Sequence, residues 1–226
     1  MQATVNIFND RVAEINLYYE AITQLYDAQS SVKTNYAYFN DDFLKMLKAN
    51  ALMMVYNLIE SSVMNGILEI YDQVKKLELS YKDVRKEIKD IWFSYKFNQV
   101  YDRHAHYNSY RNKALEILNE VINDEIIKLD RNAAEIKGNL DADAIRNICR
   151  EHGIVFYDDT NCRGGYVLSD VKDKRNNLSH GTISFVECGR DYSFEELITI
   201  KNEVVLYLEG LLVGINDYYI NQKFLL

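Results

Sequence analysis

Residues 169–181 read SDVKDKRNNLSHG, and the way this segment is read decides what the rest of the chain must build. Ser169 can cap a helix and Gly181 can end one, because a serine oxygen accepts first-turn amides and glycine tolerates a left-handed turn. That confines the segment to about three helical turns. Inside it, Lys174, Arg175 and Asn176 precede His180. The pairing joins a permanently charged, forked cation to the one side chain that titrates near neutrality. Five residues correspond to roughly 140° of helical rotation, so Arg175 and His180 do not share a face, whereas Asn176 and His180 do. Either the last turn unwinds before Gly181, or two copies of the segment meet across a symmetric interface. The competing reading is a plain helix end, a histidine near the last carbonyls followed by a capping glycine.

Outward from this segment the chain is helical in both directions. Residues 5–26 place Val5, Phe8, Val12, Ile15, Tyr19, Ile22 and Tyr26 on one stripe by alternating steps of three and four. KTNYAYFND breaks the period, and Asn40 or Asp41 can cap a second helix over about 42–77. Ser80 and Asp83 resemble a capping box opening a third helix that runs to Val100. A fourth over about 107–137 presents Leu115, Leu118, Ile122 and Leu129, with Gly138-Asn139 as its stop. Asp141 to His152 makes a short helix ended by Gly153. GIVFYDDTNCRGGYVL (153–168) loses the period and suits a loop or small hairpin. TISFVEC (182–188) is an extended candidate. Ser193 and Glu196 form a capping box for a last helix with Phe194, Leu197, Val204, Leu208, Leu211, Ile215 and Tyr218 on one stripe. The expectation is a mostly α protein, one domain over residues 1–226, with long antiparallel helices and at most a small β-hairpin.

Composition narrows the function. The chain has 226 residues, 18 tyrosines and no proline, so long helices can run uninterrupted. A formal charge of −8 argues against a broad electrostatic nucleic-acid surface, though not against a small, locally positive site. The three cysteines form no CxxC pair and fit a reducing compartment. No signal peptide or 18-residue apolar run is evident, so a soluble, cytoplasmic protein without membrane attachment is expected. No glycine-rich phosphate loop, HExxH or paired Cys/His framework points to a cofactor or metal, and His104 and His106 lack identifiable further ligands.

KRNNLSHG (174–181) resembles the R-x4-6-H motif of the HEPN superfamily. NLIESSV (57–63), NLDADAIRNI (139–148) and FVECGRDYSFEEL (185–197) are similar to the stand-alone MAE-type HEPN-like nucleases, and with KRNNLSHG these stretches are spread from residue 57 to residue 197. The resemblance implies a helical bundle, homodimerisation and metal-independent RNA cleavage, with Arg and His of two protomers meeting at a dimer cleft. Cleavage of this kind needs a base for the 2′-hydroxyl, an acid for the 5′-oxygen and a cation for the phosphorane. On that basis His180 is expected as general base, Arg175 as phosphate clamp and Asn176 as orienting group. Lys174 and Arg190 are further candidates for substrate contact. Glu60, within a polar stripe of Asn57, Ser61 and Asn65, is a candidate to orient Arg175. A toxin or phage-defence role, with an antitoxin or defence-system partner, is the expected setting. Regulation by nucleotidylation of a tyrosine two residues past the histidine is unsupported, since that position is Thr182. The alternative is a non-cleaving HEPN module that binds RNA or a nucleotide, or dimerises.

Overall fold

Asn40 starts the central helix: its side chain accepts from the Phe43 amide at 2.9 Å, with Asp41 and Asp42 in the first turn and Lys75 and Lys76 in the last. The structure, a computed structural model, describes residues 1–31, 40–99, 107–136, 138–157 and 160–226. The central helix, α2 (Asp41–Lys76), buries Leu52, Val55, Tyr56, Ile59, Val63, Ile67, Ile70 and Val74. A helix apolar on so many sides needs neighbours all round. They are α1 (Gln2–Ser31), α6 (Tyr166–Ser179), α7 (Phe185–Arg190) and α8 (Phe194–Ile220). α2 is long and apolar enough to cross a bilayer, yet most of its apolar window is buried among these helices.

α1 buries Phe8, Ile15, Tyr19 and Ile22 of the expected stripe, while Tyr26 is exposed. α8 follows the expected Ser193–Glu196 capping box and buries Leu197, Val204, Leu208, Leu211, Ile215 and Tyr218. The described residues contain eight α-helices, one 3-10 turn and no strand, an all-α bundle.

Several local expectations are corrected. Ser80 and Asp83 do bond each other, at 2.8 Å from the Ser80 amide and 2.7 Å from its hydroxyl, but they close a turn. α3 begins only at Lys86, because the C-terminal residues hold 84–85 extended: Val84 bridges Leu225, and the Arg85 amide donates to Phe224. Val100 lies outside the described residues. α4 (Tyr107–Ile122) stops well short of 137, turning at Asp124 with positive φ, after which Ile127 pairs with Leu79. Its inner face carries Ile117 and a buried Lys113, leaving Leu115, Leu118 and Ile122 exposed. Gly138-Asn139 therefore ends no helix. α5 (Ala142–His152) is the expected short helix, capped by Asp141 and ended by a left-handed Gly153. Residues 160–165 form a 3-10 turn, and α6 starts at Tyr166, three residues ahead of Ser169. The expected extended segment 182–188 is largely helical, since Ser184 and Glu187 make a full capping box for α7. Their reciprocal hydrogen bonds outweigh the β-propensity of Ile183, Phe185 and Val186.

A candidate site where α6 meets α2

α6 owes its placement to Leu168, Val171 and Leu178, all buried. Arg175 continues their three-four spacing (168, 171, 175, 178), so the helix turns it toward the core with only 24% of its side chain exposed. A partly buried guanidinium needs partners for the donors it withdraws from water. Here Nη1 donates to the Gly138 carbonyl at 3.1 Å and to Asn176 Oδ1 at 3.0 Å. Nη2 faces the Glu60 carboxylate at 3.6 Å. The guanidinium carbon stands 4.6 Å from the centroid of the Tyr56 ring, in cation–π position. Tyr56 and Glu60 are one turn apart on α2 and thus share the face that meets α6.

A short strap, residues 138–140, crosses this junction. Besides the Gly138 carbonyl on Arg175, Asn139 Oδ1 accepts from Asn176 Nδ2 at 2.7 Å, and the Leu140 amide donates to the Tyr56 hydroxyl at 3.1 Å. Three consecutive residues thus bond to Arg175, Asn176 and Tyr56 in turn. Burial raises the Tyr56 pKa above the ordinary tyrosine value, with the Glu60 charge adding to it and Leu140 and Arg175 opposing. The hydroxyl is therefore neutral at any physiological pH.

His180 is the C-cap of α6 and is exposed. Its amide still donates to the Asn176 main-chain carbonyl at 3.0 Å, so the helix does not unwind before Gly181. Gly181 has φ +67°, and the Thr182 amide returns to the Asn177 carbonyl at 2.9 Å, closing the helix end. Arg175 and His180 thus lie apart in their surroundings: one set into the α2 face, the other open to solvent beyond the last turn.

The remaining sequence candidates separate. Lys174 pairs with Asp191 at 2.8 Å and lies over the Tyr192 ring, and that hydrogen bond raises its pKa. Lys172 pairs with Asp141 at 2.8 Å, which ties α6 to the cap of α5. Arg190 is exposed and makes no close side-chain ion pair among the described residues, although its charge helps to lower the pKa of Glu187 and of Asp191. Of the polar stripe on α2, only Glu60 reaches Arg175. Asn57 is exposed beside α1, Ser61 bonds its own helix, and the Asn65 carbonyl accepts from Thr4. Glu187 is occupied by the α7 capping box. His104 and His106 lie outside the described residues. Sequence reasoning missed Tyr56 and the strap. The available signal was the continuation of the 168-171-175-178 spacing, which marks Arg175 as inward-facing and in need of a buried partner.

An all-helical bundle with an Arg-x4-His segment closing a helix packed on its central helix has the build of a HEPN protein. The family model described as HEPN_MAE_28990-like HEPN matches residues 4–224, and the chain belongs to that family. No curated protein and no solved structure matches the chain significantly.

Proposed function

We propose that the protein is a HEPN-type endoribonuclease acting as a cytoplasmic homodimer, with Arg175, Asn176 and His180 of both protomers lining one cleft. Membership of the HEPN family supports a nuclease or RNA-binding role. The observation that carries the reading further is the contrast between the two motif residues. Arg175 is pre-set on α2 with part of its fork still exposed, as a phosphate clamp requires, and His180 is open to solvent, as a proton-transfer group requires. In the reaction, His180 removes the proton of a 2′-hydroxyl. The 2′-oxygen then attacks the adjacent phosphorus and the 5′-oxygen leaves with a proton from the partner protomer's histidine. Arg175 stabilises the phosphorane charge and Asn176 keeps the guanidinium in register. Arg190, exposed and outside any close ion pair, and Lys174, if it releases Asp191, extend the contact along the RNA backbone. A toxin or phage-defence role, restrained by a partner, is the setting we assign to it.

The test is cleavage of single-stranded RNA in the presence of EDTA by wild type, Arg175→Ala and His180→Ala. Both variants are expected to lose cleavage while the dimer persists, and His180→Ala is expected to relieve any growth arrest on expression. Wild-type cleavage by either variant removes that residue from the mechanism. One observation favours a second reading, a module that binds RNA without cutting it. Lys172, Lys174 and Arg175 are each matched by a carboxylate within the protomer. A dimer that binds RNA and leaves it intact would establish that reading instead.

A further inference from the structure

We propose that Tyr56 is the positioning residue of Arg175, its ring carrying the guanidinium and its hydroxyl fastening the 138–140 strap. The ring is fully buried in α2, so its face is a fixed platform and not a mobile surface contact. The 4.6 Å separation sets how far the guanidinium stands off α2, and the planar ion stacks best parallel to such a face. The Tyr56 hydroxyl accepts the Leu140 amide, which fixes where the strap runs. The strap then presents the Gly138 carbonyl to Arg175 Nη1. One side chain thereby sets both the support beneath the arginine and the acceptor beside it.

The strap has little room to sit elsewhere. A Cβ built on Gly138 would stand 2.9 Å from Glu60 Oε1 and 3.5 Å from Arg175 Nη2, so strap, carboxylate and guanidinium are already in contact. Glu60 is the weaker constraint. Its 3.6 Å approach and its 31% exposure leave it partly solvated. The geometry therefore gives the aromatic ring, and not the carboxylate, the dominant hold on the arginine. The consequence for cleavage rests on the nuclease reading above, whereas the ordering of Arg175 does not.

The experiment measures the side-chain Nε–H relaxation of Arg175 by NMR, alongside RNA cleavage, in wild type, Tyr56→Phe, Tyr56→Met and Glu60→Gln. Phenylalanine keeps the ring, methionine keeps volume without it, and Glu60→Gln removes only the charge. Arg175 is expected to be ordered in wild type, Tyr56→Phe and Glu60→Gln, and to become mobile in Tyr56→Met. The Leu140 amide is expected to exchange faster in Tyr56→Phe. With cleavage present, Tyr56→Met is expected to lose about tenfold to a hundredfold in kcat with KM little changed, and Tyr56→Phe to restore most of it. A mobile Arg175 in wild type, or in folded Tyr56→Phe, overturns the proposal even if Tyr56→Met does not fold. So does an Arg175 that stays ordered in Tyr56→Met. If the protein cleaves no RNA, the nuclease reading falls and the relaxation data still decide the role of Tyr56.

Discussion

Asn176 donates from its side-chain nitrogen to Asn139 at 2.7 Å and accepts on its side-chain oxygen from Arg175 at 3.0 Å. One amide thus joins α6, the arginine and the strap. Here the amide's two-sided chemistry, a donor and an acceptor on one planar group, is what the junction requires.

Replacing Asn176 by leucine removes both bonds, while aspartate keeps the acceptor and sets two acceptors against each other at Asn139. Because the group is half-exposed, water replaces part of what is lost. The leucine variant is expected to lose about 1 kcal/mol in urea unfolding. Its RNA cleavage is expected to fall about tenfold, with aspartate between it and wild type. Leucine behaving as wild type in both assays would remove Asn176 from the site.

His152 provides a pH test remote from the motif. Its Nε2 lies 2.7 Å from the Tyr71 hydroxyl and its Nδ1 2.7 Å from the Ile148 carbonyl. Nδ1–H therefore donates to the carbonyl and Nε2 accepts from the tyrosine. Burial pushes its pKa down from 6.5 to about 4. Between those values the unfolded chain binds a proton that the folded one refuses, so stability falls as the pH is lowered through that window. The loss is expected to be on the order of 3 kcal/mol at most. Urea midpoints at pH 7 and pH 4.5 measure it, and His152→Gln is expected to flatten the dependence. An equal slope in the variant would assign the effect to other groups.

Two glycines at the ends of α6 make a contrast. Gly165 has φ +74°, and an added Cβ would stand 2.5 Å from the Tyr207 ring. Gly181 has φ +67° with nothing within 4 Å. Alanine at 181 meets only the backbone penalty of about 1 kcal/mol. Alanine at 165 adds a clash with a buried ring, for an expected total of about 3 kcal/mol, and tilts the start of the motif helix. Thermal unfolding of the two variants compares them directly, and equal losses would show that the Tyr207 contact relaxes freely.

The helical class, a cap at Asn40 or Asp41, the Ser193 capping box, the stop at Gly153, and the core stripes of α1 and α8 were legible from the sequence alone. These features depend on residues within one or two turns of each other, so local chemistry suffices. Errors arose where distant residues compete. The chain end at Phe224 and Leu225 holds Val84 and Arg85 extended and delays α3, and the pairing of Ile127 with Leu79 ends α4 early. Neither partner is visible from the segment it reshapes. Within the site, spacing separated Arg175 from His180, and the closed turn at Gly181 shows that the helix does not unwind to reunite them. Glu60 could be suspected from its place in a polar stripe. Tyr56 could not, because an aromatic in an apolar helix reads as core until the cation above it is known.

The sequence by itself determined a proline-free helical chain with an Arg-x4-His segment that ends a short helix at glycine. That follows from backbone propensity, capping and period, which act over a few residues. Only the tertiary structure decided that Arg175 lies on the Tyr56 ring, faces Glu60 and is bridged by residues 138–140. A partly buried cation takes whatever acceptors and ring faces folding brings within reach, and those come from α2 and from a strap more than thirty residues away in the chain.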